Sequence, residues 1–192
     1  MSEQNRVHPL SREAWRAWLA ANHATAEGTW LVRYKQSTGK PTLTTDEVVE
    51  EAIAFGWIDS LPRKLDDERY MLYVSPRKPR SNWSRLSKER AVRMEAAGQM
   101  TDAGRQVIDA AKADGSWTAL DDVENLVVPA DLAKALEARP PARDEWEAFP
   151  RSTRRGILEW ILNAKRPATR AKRIEETARL AQQGKRANQW PR

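Results

Sequence analysis

Residues 55–84 read FGWIDSLPRKLDDERYMLYVSPRKPRSNWS. Two short runs within this stretch, 57–60 and 69–74, are rich in aromatic and apolar residues and lie between turn signals, which is typical of β-strands. The second run stops at Ser75-Pro76, because a proline cannot donate to a strand ladder. After residue 81 the pattern becomes helical. The stretch therefore marks the place where a small sheet gives way to helices.

The chain before this stretch predicts a further strand and two helices. Residues 28–35 carry the β-branched and aromatic residues of a strand. Ser11 is placed to cap a helix that contains Trp15. Thr44 and Glu47 form the pattern of a capping box, and Gly56 stands where a helix C-terminal glycine belongs. We therefore predict an α+β fold, with a small antiparallel or mixed sheet and helices, followed by a helical C-terminal half.

The domain organisation follows from the same pattern. We predict a sheet unit over residues 1–80 and a helical half over residues 81–192, packed as one compact domain. Within the helical half, either Ser84 or Ser87, and then Thr101 and Ser152, are expected to cap successive helices. A length of 192 residues suits one domain of this kind.

Composition narrows the class of protein. The chain has no cysteine, which excludes disulfides, zinc–thiolate sites and thiol nucleophiles. No apolar run approaches the roughly 18 residues of a membrane helix, and the N-terminal residues lack the apolar segment of a secretory signal. We therefore expect a cytoplasmic protein without a membrane span.

The candidate binding site lies in the stretch 55–84, where indoles and charges interleave. Trp57 and Asp59 alternate on one face of a short strand, and an aromatic plate beside a carboxylate suits a polar ligand. The two prolines around Arg77 and Lys78 hold that segment extended, which lowers the entropy cost of binding an anion. An ion-pair network joining the sheet to the helices is the equally weighted alternative. The nominated ligand-binding residues are Trp57, Asp59, Arg63, Arg77, Lys78, Trp83 and Ser84.

Catalysis has less support in the sequence. Asp59 is a candidate general acid or base, which leaves an enzyme of unknown class as an alternative. The only histidines, His8 and His23, stand in no triad-like motif, so Ser60 and Ser84 lack a base. No cluster has the spacing of metal ligands. The sequence therefore predicts no catalytic residue, no cofactor and no metal site.

The net charge of +6 is concentrated near the C-terminus. Residues 151–192 contain 12 Lys and Arg against 3 Asp and Glu, so this basic helical segment offers a second alternative, a nucleic-acid partner. A solvated helix face is the favoured interpretation, and no nucleic-acid-binding motif supports the alternative beyond charge. The residues that would carry it are Arg155, Arg166, Arg170, Lys172 and Arg173.

Five segments together indicate a family. They are FGWIDS (55–60), LDDER (65–69), SPRKPRSNWS (75–84), KERAVRMEAAGQMTDAG (88–104) and FPRSTRRGILEWILNAKRPATRAKRIEETARLA (149–181). From about Trp30 to Asn188 the chain resembles the YdeI/OmpD-associated family, described as bacteriocin-protection proteins. The resemblance implies a link to antimicrobial-peptide tolerance and envelope stress, and it implies no catalytic residue. The leading hypothesis is a non-enzymatic binding protein for a small polar or anionic ligand or a peptide.

Overall fold

The structure, a computed structural model, describes residues 5–189. The strands within them are β1 (Arg6–Val7), β2 (Thr29–Tyr34), β3 (Trp57–Lys64) and β4 (Arg69–Pro76). The helices are α1 (Arg12–Asn22), α2 (Thr45–Ala54), α3 (Arg85–Ala96), α4 (Asp102–Asp114), α5 (Asp121–Glu124), α6 (Ala130–Glu137), α7 (Ala142–Ala148), α8 (Arg151–Leu162) and α9 (Pro167–Ala181). The predicted α+β class is confirmed.

The sheet is mixed and has the strand order β1-β2-β4-β3 among the described residues. β1 runs parallel to β2, whereas β2–β4 and β4–β3 are antiparallel. β3 is longer than its apolar run predicts and continues through Pro62 after an irregularity that begins at Asp59. Pro62 is tolerated because β3 is an edge strand, whose outer side needs no ladder donors.

Unit 1, Met1–Thr118, is a compact unit built around the sheet. Its core contains the indoles of Trp15, Trp57 and Trp83 and aliphatic side chains of α2, and it also includes residues of α3 and α4, namely Ala91, Met94 and Ala111. The capping box of α2 forms as predicted: the Glu47 N–H donates to the Thr44 hydroxyl at 3.2 Å, and the Thr44 N–H donates to the Glu47 carboxylate at 2.6 Å. Helix α2 therefore begins where the sequence places it.

Unit 2, Ala119–Arg192, is a second compact unit and is helical in its described part. Its core is separate and contains Trp146, Leu158 and Ile161. The expected cap at Ser152 is wrong, because Pro150 occupies the N-cap position and α8 begins one residue later at Arg151. No helix within residues 5–189 has the length and apolar character needed to cross a bilayer.

Candidate functional site

A small cavity lies between the loop that follows β4 and the C-terminal end of α4, all within unit 1. Its volume is about 90 Å³, and we call it the Arg77 cavity. The backbone holds both walls in place. The Arg77 N–H donates to the Gly56 carbonyl at 2.9 Å, and the Trp83 N–H donates to the Ser116 carbonyl at 3.3 Å. The lining residues are Arg77, Lys78, Pro79, Arg80, Ser81, Trp83, Val107, Ala110, Ala111, Asp114 and Ser116.

Arg77 is the most unusual group in this wall. Only 8% of the residue is exposed, and its guanidinium carbon lies 3.8 Å from the centre of the Trp83 ring. One Nη donates to the Asn82 carbonyl at 3.0 Å, whereas Nε is buried without a hydrogen-bond partner. Burial lowers the pKa of Arg77 to about 10, against the opposing effect of the negative charge of Asp59. Arg77 is therefore a largely dehydrated cation at neutral pH.

Two further lining residues carry polar atoms that lack partners. Trp83 is 1% exposed, and its indole Nε1 makes no hydrogen bond. The buried Ser116 hydroxyl lies close enough to Asp114 to lower its pKa, yet makes no hydrogen bond of ordinary geometry. Buried polar atoms in folded proteins nearly always find a protein, water or ligand partner. Because three such atoms belong to residues that line one cavity, we treat this cavity as the candidate site for a polar ligand.

The charges around the cavity favour an anion. Arg77, Lys78 and Arg80 line it against a single carboxylate, that of Asp114. Asp114 is already engaged by the Ser116 N–H at 2.9 Å. Arg80 has a φ of 60°, an uncommon conformation for a residue with a side chain, and such strain clusters at binding sites. The arrangement can hold one small anion by charge and by directed N–H groups.

The structure brings part of the predicted site together at this cavity. Of the seven nominated residues, Arg77, Lys78 and Trp83 line it. Ser84 lies beside them in sequence and caps α3, where its hydroxyl accepts the Ser87 N–H at 3.2 Å. Asp59 is half-buried, and its negative charge raises the pKa of Arg77 against the larger effect of burial.

Trp57 and Arg63 lie outside the Arg77 cavity. Trp57 is 1% exposed in the core of unit 1, its Nε1 donates to the His23 carbonyl at 3.2 Å, and its ring meets Trp18 edge-on at 5.9 Å. Arg63 lies over the Trp30 ring at 4.8 Å. The Trp57 indole therefore packs the sheet against α1, and neither side chain belongs to the wall around Arg77.

Sequence reasoning missed the wall that α4 provides. Asp114 and Ser116 flank Gly115, which has a φ of 81° and ends α4. The motif reads as an ordinary helix end, because a glycine at this position is the commonest helix stop signal. Asp114 and Ser116 come to line the cavity only because α4 packs beside the β4–α3 loop. No local sequence signal therefore identifies these two residues.

The cations nominated for nucleic acid are partly engaged within unit 2. Arg155 pairs with Glu124 and Glu159, both at 2.9 Å, and Arg170 pairs with Asp131 at 2.8 Å. Arg173 donates to the Trp160 carbonyl and lies over the Trp160 ring. Arg166 and Lys172 are exposed. Because three of the five have internal partners, the nucleic-acid alternative stays a prediction without added support.

A metal centre has no ligand set in the part of the chain that the structure describes, where no three His, Asp or Glu side chains converge. Asp59 lies on the edge strand beside the irregularity of β3. The alternative of an enzyme that uses Asp59 stays a prediction.

Fold and cavity together define a small α+β protein with a cationic cavity. The chain belongs to the family described as Domain of unknown function (DUF8412), whose model matches residues 7–107. Residues 125–184 match the family model described as Bacteriocin-protection, YdeI or OmpD-Associated. That second match confirms the predicted family over residues 125–184, which contain the last of the five segments, whereas the first four lie within the DUF8412 match. It supports an association with bacteriocin protection of the YdeI or OmpD type. Comparisons with curated proteins and with solved structures found no match.

Proposed function

We propose that this protein is a cytoplasmic, non-enzymatic binding protein whose Arg77 cavity takes a small oxyanion, and that binding serves tolerance of bacteriocins or envelope stress. One observation carries the proposal. Arg77 is a buried cation whose Nε has no partner and which lines a cavity with room for an ion. Leaving a buried charged donor unsatisfied is costly, and a bound oxyanion removes that cost.

The size of the cavity limits the ligand. A volume of about 90 Å³ admits a carboxylate, sulfate or phosphate group, whereas whole metabolites usually need about 300 Å³ or more. The occupant is therefore a free inorganic anion or the anionic end of a larger ligand, including the C-terminal carboxylate of a peptide. The planar guanidinium of Arg77 suits the paired oxygens of any of these groups.

Isothermal titration of the full chain tests the proposal. The ligands are sulfate, phosphate, acetate, and one short peptide with either a free or an amidated C-terminus. We expect oxyanions to bind, and Arg77→Met to weaken binding by at least about tenfold, because a charge-assisted hydrogen bond contributes about 1.5–3 kcal/mol. Preference for the free-acid peptide identifies a peptide carboxylate as the source, and preference for sulfate or phosphate identifies a free anion.

Arg63→Met is the matched control. It removes an arginine from the same stretch that also lies over an indole but is absent from the cavity wall, so it should bind anions like wild type. Ser116→Ala should weaken binding less than Arg77→Met, since a neutral donor contributes less than a charged one. The proposal fails when no oxyanion binds the wild type, or when Arg77→Met binds as tightly as Arg63→Met.

A further inference from the structure

A second concave surface lies between α3 and α4 of unit 1, apart from the cationic wall of the Arg77 cavity. This α3–α4 cleft has a volume of about 290 Å³ and is lined by four apolar residues, Ala91, Val92, Ile108 and Trp117. Val92 is 63% exposed. Val92 is thus exposed next to the half-buried Ile108 and Trp117, so the cleft offers an apolar surface inside a concave wall, where binding pockets are commonly apolar.

The Trp117 end of the cleft is positively charged. Lys112 Nζ lies 5.6 Å from the centre of the Trp117 ring, and Lys88 Nζ lies 5.9 Å from it. The inner side of the same indole is supported by Trp83, at 4.9 Å between ring centres. Trp117 is thus held in place by Trp83, and two ammonium groups lie over its ring at this end of the cleft.

The remaining charges of the cleft limit how much negative charge a ligand carries. Glu95 and Arg105 are already paired at 3.0 Å, and Arg105 also contacts Asp102 at 3.0 Å. Asp109 lines the cleft one helical turn before Lys112, and its carboxylate repels a second negative group. A monoanion fits this balance, whereas a polyphosphate does not.

We propose that the α3–α4 cleft binds an anionic amphiphile, meaning a compact apolar or aromatic group that carries a single carboxylate or sulfonate. The apolar part packs against Val92, Ile108 and Trp117. The acid group lies beside Lys112 and Lys88. This site is independent of the anion proposed for the Arg77 cavity, which is too small to admit a fused ring.

Fluorescence titration with 8-anilinonaphthalene-1-sulfonate on the full chain tests the cleft, because the probe has an aromatic body and one sulfonate. Val92→Asp and Lys112→Glu change exposed side chains, so both variants keep the core of unit 1 intact. We expect each variant to weaken probe binding by about tenfold. Val92→Asp removes an apolar contact and adds a negative charge, and Lys112→Glu reverses the charge that attracts the sulfonate. Competition should be strong for 2-naphthoate and weak for 2-naphthylammonium.

Matched controls lie away from the cleft. Leu61→Asp changes another exposed apolar residue, 71% exposed on β3, and Lys172→Glu reverses an exposed lysine on α9. Both should bind the probe like wild type. Equal weakening in the controls overturns the proposal, and so does wild-type affinity in Val92→Asp and Lys112→Glu. Competition by the naphthylammonium as strong as by the naphthoate also overturns it.

Discussion

At the scale of single residues, unit 1 buries charge in two different ways. Glu51, 1% exposed on α2, is matched by two arginines of α1, each at 2.6 Å: Arg12 and Arg16. Arg77 is buried with only a carbonyl, a ring face and the more distant Asp59 around it. A buried charge with close partners ties elements together, whereas Arg77, whose Nε has no partner beside a cavity, is the group on which the proposed oxyanion site depends.

Replacing Glu51 by alanine tests the first arrangement. The change leaves Arg12 and Arg16 without their shared carboxylate, but both arginine side chains are about one-third exposed and recover part of their hydration. We therefore expect a loss of about 2 kcal/mol in the free energy of unfolding, below the 3–5 kcal/mol typical of a fully buried pair. Urea denaturation followed by circular dichroism measures it.

Asp67→Ala is the control for Glu51→Ala. Its pair with Lys64 joins two side chains that are 95% and 67% exposed, so the change should cost less than about 0.5 kcal/mol. Equal losses in the two variants would mean that the α1–α2 ion pairs contribute no more than a surface pair.

At the scale of elements, the sequence predicted what depends on local contacts. The caps at Ser11, Thr44 and Thr101 are found as expected, because each needs only a hydroxyl near a backbone N–H three residues on. The cap predicted at Ser152 is not found, because Pro150 occupies the N-cap position of α8. The full length of β3 depends on pairing with β4, which no local pattern encodes.

Two helical glycines differ in what surrounds them, and this difference predicts opposite effects of alanine. A Cβ on Gly104 of α4 would lie 2.4 Å from the Ala54 carbonyl oxygen and 2.5 Å from Met100 Sδ. The helices cannot keep this contact, so Gly104→Ala should destabilise the protein by about 1–3 kcal/mol despite the better helix propensity of alanine. A Cβ on Gly156 of α8 meets nothing within 4 Å.

Gly156→Ala is therefore the control, and it should stabilise the protein by up to about 1 kcal/mol through helix propensity alone. Thermal unfolding of both variants beside wild type, followed by far-UV circular dichroism, gives the comparison. Stabilisation by Gly104→Ala would show that α4 does not pack against the end of α2 as closely as described.

At the scale of the whole molecule, the two units have separate cores. The first core draws on residues between Val7 and Trp117, and the second on residues between Leu120 and Ala187. The sequence identified the α+β order and three lining residues of the Arg77 cavity, because strands, prolines and indoles leave local signals. It missed Asp114 and Ser116, because their proximity to Arg77 arises only when α4 packs on the sheet unit.

This division predicts how the chain behaves when it is cut. A fragment of residues 1–118 keeps α3 and α4, which bury Ala91, Met94 and Ala111 in the first core, so it should fold with a cooperative unfolding transition. A fragment of residues 1–80, which ends where the sheet pattern ends, lacks those side chains and Trp83. The apolar residues that they cover would be exposed to solvent, so this fragment should not fold cooperatively. The fragment 119–192 should be helical but marginal, at about 3–5 kcal/mol, because its core is small. Circular dichroism and urea unfolding of the three fragments measure these outcomes. A folded 1–80 fragment, or an unfolded 1–118 fragment, would show that the first core is not organised around α3 and α4.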